Sequence, residues 1–163
     1  MKTVPVLKTT RLLLKGIAEE DTGFIVRLRS NPEVFKYFVS PHKITESEHI
    51  KWFRNSYLIN ENRIDWIALD SVGVLVGVFG VKRENEYAKE AEVSYILSPS
   101  QYGQGYASEA IIRLIEFCQD EWKCDFITAE IHEQNNDSIR FAEKLGFERE
   151  EKRGKFLRYK RKV

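Results

Sequence analysis

The hydrophobic positions change their period several times along the chain. A first apolar block, RLLLKG (11–16), reads as a strand. In EEDTGFIVRLRS (19–30), Phe24, Ile25 and Leu28 recur at helical spacing. Asn31-Pro32 breaks that helix and caps a short second one, PEVFKYF. Thr45, with Glu48 three positions on, carries a capping-box signature. It opens TESEHIKWFRNSYLIN (45–60), with Ile50, Phe53 and Tyr57 predicted on one face. RIDWIALD (63–70) and VLVGVFGVKR (74–83) then read as strands joined by a turn at Gly73. AEVSYIL (91–97) is a third strand, ended by Pro99. Residues 105–122 form the strongest helical stripe, through Ile111, Ile115, Cys118 and Trp122. DFITAEI (125–131) reads as a strand. SIRFAEKLG (138–146) reads as a helix stopped by Gly146. FEREEK and KFLRYKRK flank Gly154 as a terminal hairpin. This order predicts an α/β fold in a mixed α+β arrangement, a sheet with helices packed on it.

Composition narrows the classes. The 163 residues suit one domain spanning 1–163, and 42% hydrophobic residues suffice for a core. Lys and Arg number 26 against 25 Asp and Glu, so no global field draws nucleic acid or an anionic membrane. The basic finish KRGKFLRYKRK is balanced by the preceding EREE and alternates with Phe156, Leu157 and Tyr159, as a strand does. No apolar run reaches the ~18 residues of a membrane span, and the first residues are too polar for a secretory signal. Cys118 and Cys124 make no disulfide framework, and the cytoplasm is the expected compartment. His42, His49 and His132 lack metal-ligand spacing, so no metal site is expected.

Between strand 91–97 and helix 105–122 lies SPSQYGQGYASEA (98–110). A helix start carries unpaired N–H groups and partial positive charge, and small residues before it let a ligand approach the backbone. Strand, glycine-rich turn and helix together make an anion cradle, with Gly103 and Gly105 giving close approach and Ala107 and Ser108 a low first turn. Neither the phosphate-loop nor the dinucleotide pattern fits.

YGQGYASEA resembles the pyrophosphate-binding motif of the GNAT superfamily of N-acetyltransferases, and NNDSIRFAEKLGF (135–147) is similar to the late motif of its RimJ/RimL-like branch. The order of elements agrees over nearly the whole chain. The resemblance implies a mixed, mostly antiparallel twisted sheet flanked by helices. It also implies acetyl-CoA as donor, its pyrophosphate held by the backbone of Tyr102, Gly103, Gln104, Gly105, Tyr106 and Ala107, beside Ser108. It places the acetyl and pantetheine groups along the strand holding Ile96 and Leu97, and makes Asn135 a pantetheine contact. Tyr102 departs from the superfamily pattern, which opens with Gln or Arg; backbone binding is unaffected.

Acetyl transfer to an amine requires removal of a proton, since amine pKa values run from about 8 to about 10.4, and protonation of the departing thiolate. Glu92 is the candidate base, directly or through water. Period two puts it on one face with Ser94 and Ile96, and Val93, Tyr95 and Leu97 on the other. The tyrosine many members use as acid is Ala142 here; Ser138 matches the serine the branch offers instead, with helix capping as its plainer role. Tyr95 and Tyr106 are fallback acids, and Glu109 reads as stabilising the first helical turn. The acceptor would meet Phe35, Phe38, His49 and Trp52 from the early helices. Part of this region, RSNPEVFKYF and ITESEHIKWF, also resembles N-acetyltransferases of nucleotide-linked amino sugars. The acceptor classes are therefore a peptide N-terminus, a small-molecule amine or an amino sugar. A non-catalytic CoA-binding sensor is the alternative of another class, and the exposed C-terminal strands offer a surface for a homodimer.

Overall fold

The computed structural model describes residues 2–163. Eight strands form one sheet in the order β1-β2-β3-β4-β5-β6-β8-β7, with β1 Leu7–Lys8, β2 Leu13–Gly16, β3 Arg63–Leu69, β4 Leu75–Lys82, β5 Glu90–Leu97, β6 Phe126–His132, β7 Glu148–Arg153 and β8 Phe156–Lys162. Every pairing is antiparallel except β5 with β6. The helices are α1 Thr22–Arg29, α2 Pro32–Phe35, α3 Glu46–Trp52, α4 Tyr106–Asp120 and α5 Asn136–Lys144. This is the mixed, mostly antiparallel sheet with flanking helices that the motifs implied. The short β1 had no readable signal of its own.

Register sorts the sheet into two faces. Trp66, Phe79 and Tyr95 are neighbours across β3, β4 and β5, as are Ile64, Val81 and Val93. That face packs with α4, whose Ile111, Leu114, Ile115 and Cys118 are buried in the same core. The opposite face carries Ile67, Val78 and Ile96 in one row. Ile67 and Val78 pack there in a smaller core with Ile25 of α1, Phe53 and Tyr57. Two polar rows continue that second face: Asp65, Gly80 and Ser94, then Arg63, Lys82 and Glu92.

The helix after Thr45 differs from expectation. The Thr45 hydroxyl does cap it, accepting from the Glu48 amide at 3.1 Å. The α-helix ends at Trp52, and Phe53–Tyr57 form a π-helical turn. His49, Phe53 and Tyr57 are buried while Ile50 is only partly covered. At the last helix, Asn135 rather than Ser138 is the N-cap, its side chain accepting from the Ser138 amide at 3.3 Å.

Candidate active site

β5 and β6 pair only from Glu90 to Glu92 against Phe126 to Thr128. Beyond Glu92 the two strands part, while β5 stays bonded to β4 as far as Leu97. Alternate peptide groups of residues 93–97 therefore face an opening with no strand to pair them. The opening is the floor of a cleft of about 1240 Å³ between the starts of α4 and α5 on one side and α1 to α3 on the other.

The start of α4 lies at one end. Gly103 and Gly105 both adopt positive φ, +78° and +79°, which favours glycine. Gly105 is the N-cap of α4. Its turn is held from outside by Arg11, which donates to the Gln104 carbonyl and pairs with Glu109, each at 2.8 Å. Glu109 also accepts from the Arg11 amide at 2.8 Å and from the Thr9 hydroxyl. Burial pushes the Glu109 carboxyl up, but the hydrogen bonds from Thr9 and Arg11 outweigh it and hold the group below its ordinary value. Glu109 thus fixes the loop to the turn between β1 and β2.

The cleft wall includes Ile96, Leu97, Tyr102, Gly103, Ala107 and Asn135. Gln104, Gly105, Tyr106 and Ser108 lie outside that wall. Tyr106 instead packs under the Arg11 guanidinium, 4.5 Å from its ring centre. Glu92 and Ser138 both line the cleft. Glu92 is paired with Lys82 at 2.8 Å. The Ser138 hydroxyl lies 3.5 Å from that of Tyr95, whose ring stacks on Phe79 and touches Phe141. Burial raises the Tyr95 phenol, partly offset by Ser138, which keeps it protonated at neutral pH.

Of the early-helix aromatics, Phe38, His49 and Trp52 line the cleft and Phe35 does not. His49 is 5% exposed, its ring 5.5 Å from that of Trp52. Tyr37, after α2, meets His132 of β6 at 5.3 Å, and His132 meets Phe156 of β8 at the same distance, so aromatic contacts cross from α2 to the far strands. No group of three metal-ligating side chains occurs among the described residues, and no helix there is long and apolar enough to cross a membrane.

The sequence model of the acetyltransferase (GNAT) domain matches residues 11–148, a span that includes both motif segments and the parted strands. The chain belongs to the GNAT acetyltransferase family. An uncharacterized N-acetyltransferase of Bacillus subtilis, YoaA, is 28% identical over 149 residues, 90% of this chain and 84% of that protein. Among solved structures, the fold is shared with spermidine N-acetyltransferase from Vibrio cholerae in complex with CoA and spermine, at TM-score 0.84 and 19% identity over 93% of this chain and 95% of that one. It is also shared with a GNAT-family acetyltransferase from Bacillus anthracis, at TM-score 0.80 and 21% identity over 98% of both chains.

In this acetyltransferase, the residues that sequence reasoning missed lie on the second sheet face. Asp65 is 5% exposed, and its carboxylate accepts from Arg63 at 2.8 Å. It lies over Gly80, where an added Cβ would sit 2.2 Å from its oxygen. Its backbone is clamped by Tyr57, whose hydroxyl accepts from the Asp65 amide at 2.9 Å. Burial pushes that phenol up to about 12. Two signals were available: a carboxylate inside the apolar run RIDWIALD, and a glycine inside a strand, which marks close approach. Arg29, at the end of α1, also lines the cleft and carried no motif.

Proposed function

We propose that the protein transfers an acetyl group from acetyl-CoA to the primary amine of a small molecule, by direct attack within a ternary complex. The parting of β5 from β6 after Glu92, with Glu92 and Ser138 lining one cleft, carries this reading. The free amides at the start of α4 would suit a pyrophosphate, and the unpaired peptide groups of residues 93–97 would suit the amide-bearing pantetheine arm. Asn135, at the start of α5, lines the same cleft and would meet that arm.

Glu92 takes the amine proton, directly or through a water. The amine nitrogen then bonds the acetyl carbonyl carbon, and the bond to sulfur breaks. Peptide N–H groups of the parted strand stabilise the negative charge that develops on the carbonyl oxygen. Ser138 donates a proton or hydrogen bond to the leaving sulfur, with the Tyr95 hydroxyl behind it as second donor. No enzyme nucleophile is needed: burial pushes the Cys118 thiol up, so it stays protonated and unreactive. The spermidine-acetylating protein that shares the fold supports a small-molecule amine as acceptor class. A nucleotide-linked amino sugar is the second acceptor reading, favoured by the rings of Phe38 and Trp52 in the acceptor wall.

The test is detection by mass spectrometry of acetylated product from acetyl-CoA and a panel of peptides, polyamines, aminoglycosides and nucleotide-linked amino sugars. Product from one small-molecule class supports the reading and names the acceptor, whereas product from the peptides alone would keep acetyl transfer and overturn the small-molecule acceptor. Bound donor, seen as a thermal shift, with no product from any class would favour a CoA-binding sensor instead.

A further inference from the structure

The charges along the cleft are mostly answered by one another. Lys36 pairs with Glu33, Arg63 with Asp65, Lys82 with Glu92 and Arg140 with Asp137. Arg29 alone among the cleft-lining cations has no carboxylate partner and no side-chain hydrogen bond among the described residues. Its guanidinium is half-buried, 5.2 Å from the Phe38 ring centre. Burial, then the neighbouring Arg63, lower its proton affinity, opposed by Asp65. It nonetheless remains cationic, as arginine does in proteins. Beside it on the acceptor wall, Arg63 and Lys82 are each neutralised by a carboxylate of their own, Asp65 and Glu92, which leaves Arg29 as the unpaired cation there. Glu48 of α3 and Glu130 of β6 also line the cleft without a cation partner, but both are exposed and neither bonds Arg29 among the described residues.

A second observation falls at the same place. His49 is buried, and its Nε2 has no hydrogen-bond partner among the described residues. Burial, then Arg29, push the imidazole below its ordinary value, with Asp65 opposing. In the tautomer that carries its N–H on Nε2, the neutral ring has one donor to offer. A half-buried cation and a buried polar atom, both unanswered, cost free energy unless a ligand meets them.

We infer that the acceptor amine carries an anionic group, a carboxylate or a phosphate, which docks against Arg29 with His49 as second donor. Arg29 offers planar paired N–H groups that match either oxyanion. Resting on amine acetylation as the reaction, this sets the acceptor apart from a polyamine, whose second cation would be repelled by Arg29.

Two measurements test it. In the first, inorganic phosphate and glutarate are each titrated calorimetrically into the CoA-saturated protein, which keeps the probe off the α4 cradle. Saturable binding of one or both is expected, and whichever binds tighter identifies the anion. Arg29→Gln should weaken it by about 10-fold or more, and Arg29→Lys by less, with CoA affinity held within about twofold in both. Absence of saturable binding, or equal binding by the variants, overturns the inference. In the second, turnover is compared within pairs: O-phosphoethanolamine against ethanolamine, and β-alanine against its amide. The anionic member should lead by about 10-fold in kcat/KM, and Arg29→Gln should erase the lead. Acetylation of the neutral members and spermidine at rates equal to the anionic ones would overturn the anion site and leave acetyl transfer standing. Anion binding that needs Arg29, with no amine acetylated, would do the reverse.

Discussion

On one side of the cleft Gly103, Gly105, the first turn of α4 and the parted stretch of β5 offer peptide groups. On the other, Arg29, His49, Trp52 and Asp65 offer side chains. The donor side is local in the chain: Leu97 and Gly105 are eight positions apart, and the helix start follows directly. The acceptor side is assembled from α1, α3 and β3, which are distant in sequence and meet only through the sheet. Backbone recognition suits a donor with a constant pyrophosphate and amide arm. Side-chain recognition lets the acceptor side change while the fold and the donor side stay. In the proposed reaction the two sides meet at β5, which would lend its peptide edge to the donor and Glu92 to the acceptor.

Substitutions can separate the sides. The largest effect is expected from Gly105→Trp. Its Cβ would sit 3.3 Å from the Arg11 guanidinium at a φ that only glycine adopts freely. CoA affinity should fall by about 1000-fold, some 4 kcal/mol. Calorimetric titration giving a wild-type Kd would break the assignment of the donor side. Next, Glu92→Gln should lower kcat by about 100-fold, within the range for a general base, while the Kd for CoA stays put. An equal loss of donor affinity would move Glu92 from chemistry to binding. Ser138→Ala should lower kcat by about 10-fold. Because Asn135 is the cap, thermal stability should change little. Tyr95→Phe in the same background should lower kcat further if the phenol is the second donor; stopped-assay rates that match the single variant would remove Tyr95 from the proton path.

The smallest effect belongs to the loop anchor. Glu109→Ala should cost about 1–2 kcal/mol in urea unfolding, from lost hydrogen bonds to a carboxylate. The folded state holds the Glu109 carboxyl below its unfolded value. Its contribution is therefore present above the unfolded carboxylate pKa of about 4.3, and is lost as pH falls through the lower folded value. The stability gap between wild type and Glu109→Ala should accordingly narrow in acid. A gap that is constant with pH would assign the cost to packing.

Sequence reasoning reached the two sides unequally. The glycine loop that opens α4 was legible because glycine, small residues and a helix start carry their meaning within a dozen positions, although only Tyr102, Gly103 and Ala107 of it reach the cleft wall. Glu92, Ser138 and Asn135 were named from motif and period, and the cleft does bring them to one lining. The exchange of roles at α5, with Asn135 capping in place of Ser138, lay within one helical turn, where boundaries are least readable. The acceptor side was legible only in part. Periodicity put Ile50 with Phe53 and Tyr57, since an ordinary helix has 3.6 residues per turn. In the structure His49 is buried with Phe53 and Tyr57 while Ile50 is only partly covered, and the helix changes to a π turn at Phe53–Tyr57. Arg29 had no pattern to mark it, because a lone arginine at a helix end normally reads as a favourable partner of the helix dipole.

By itself, then, the sequence determined the succession of strands and helices, the two-faced strand β5 and the loop that opens α4, since each depends on residues a few positions apart. Tertiary structure decided where β5 leaves β6, that Asp65 lies over Gly80, and that Arg29 is left unanswered in the cleft. Those features depend on strand register and on which charges find partners, and both are settled only when segments distant along the chain compete for the same neighbours.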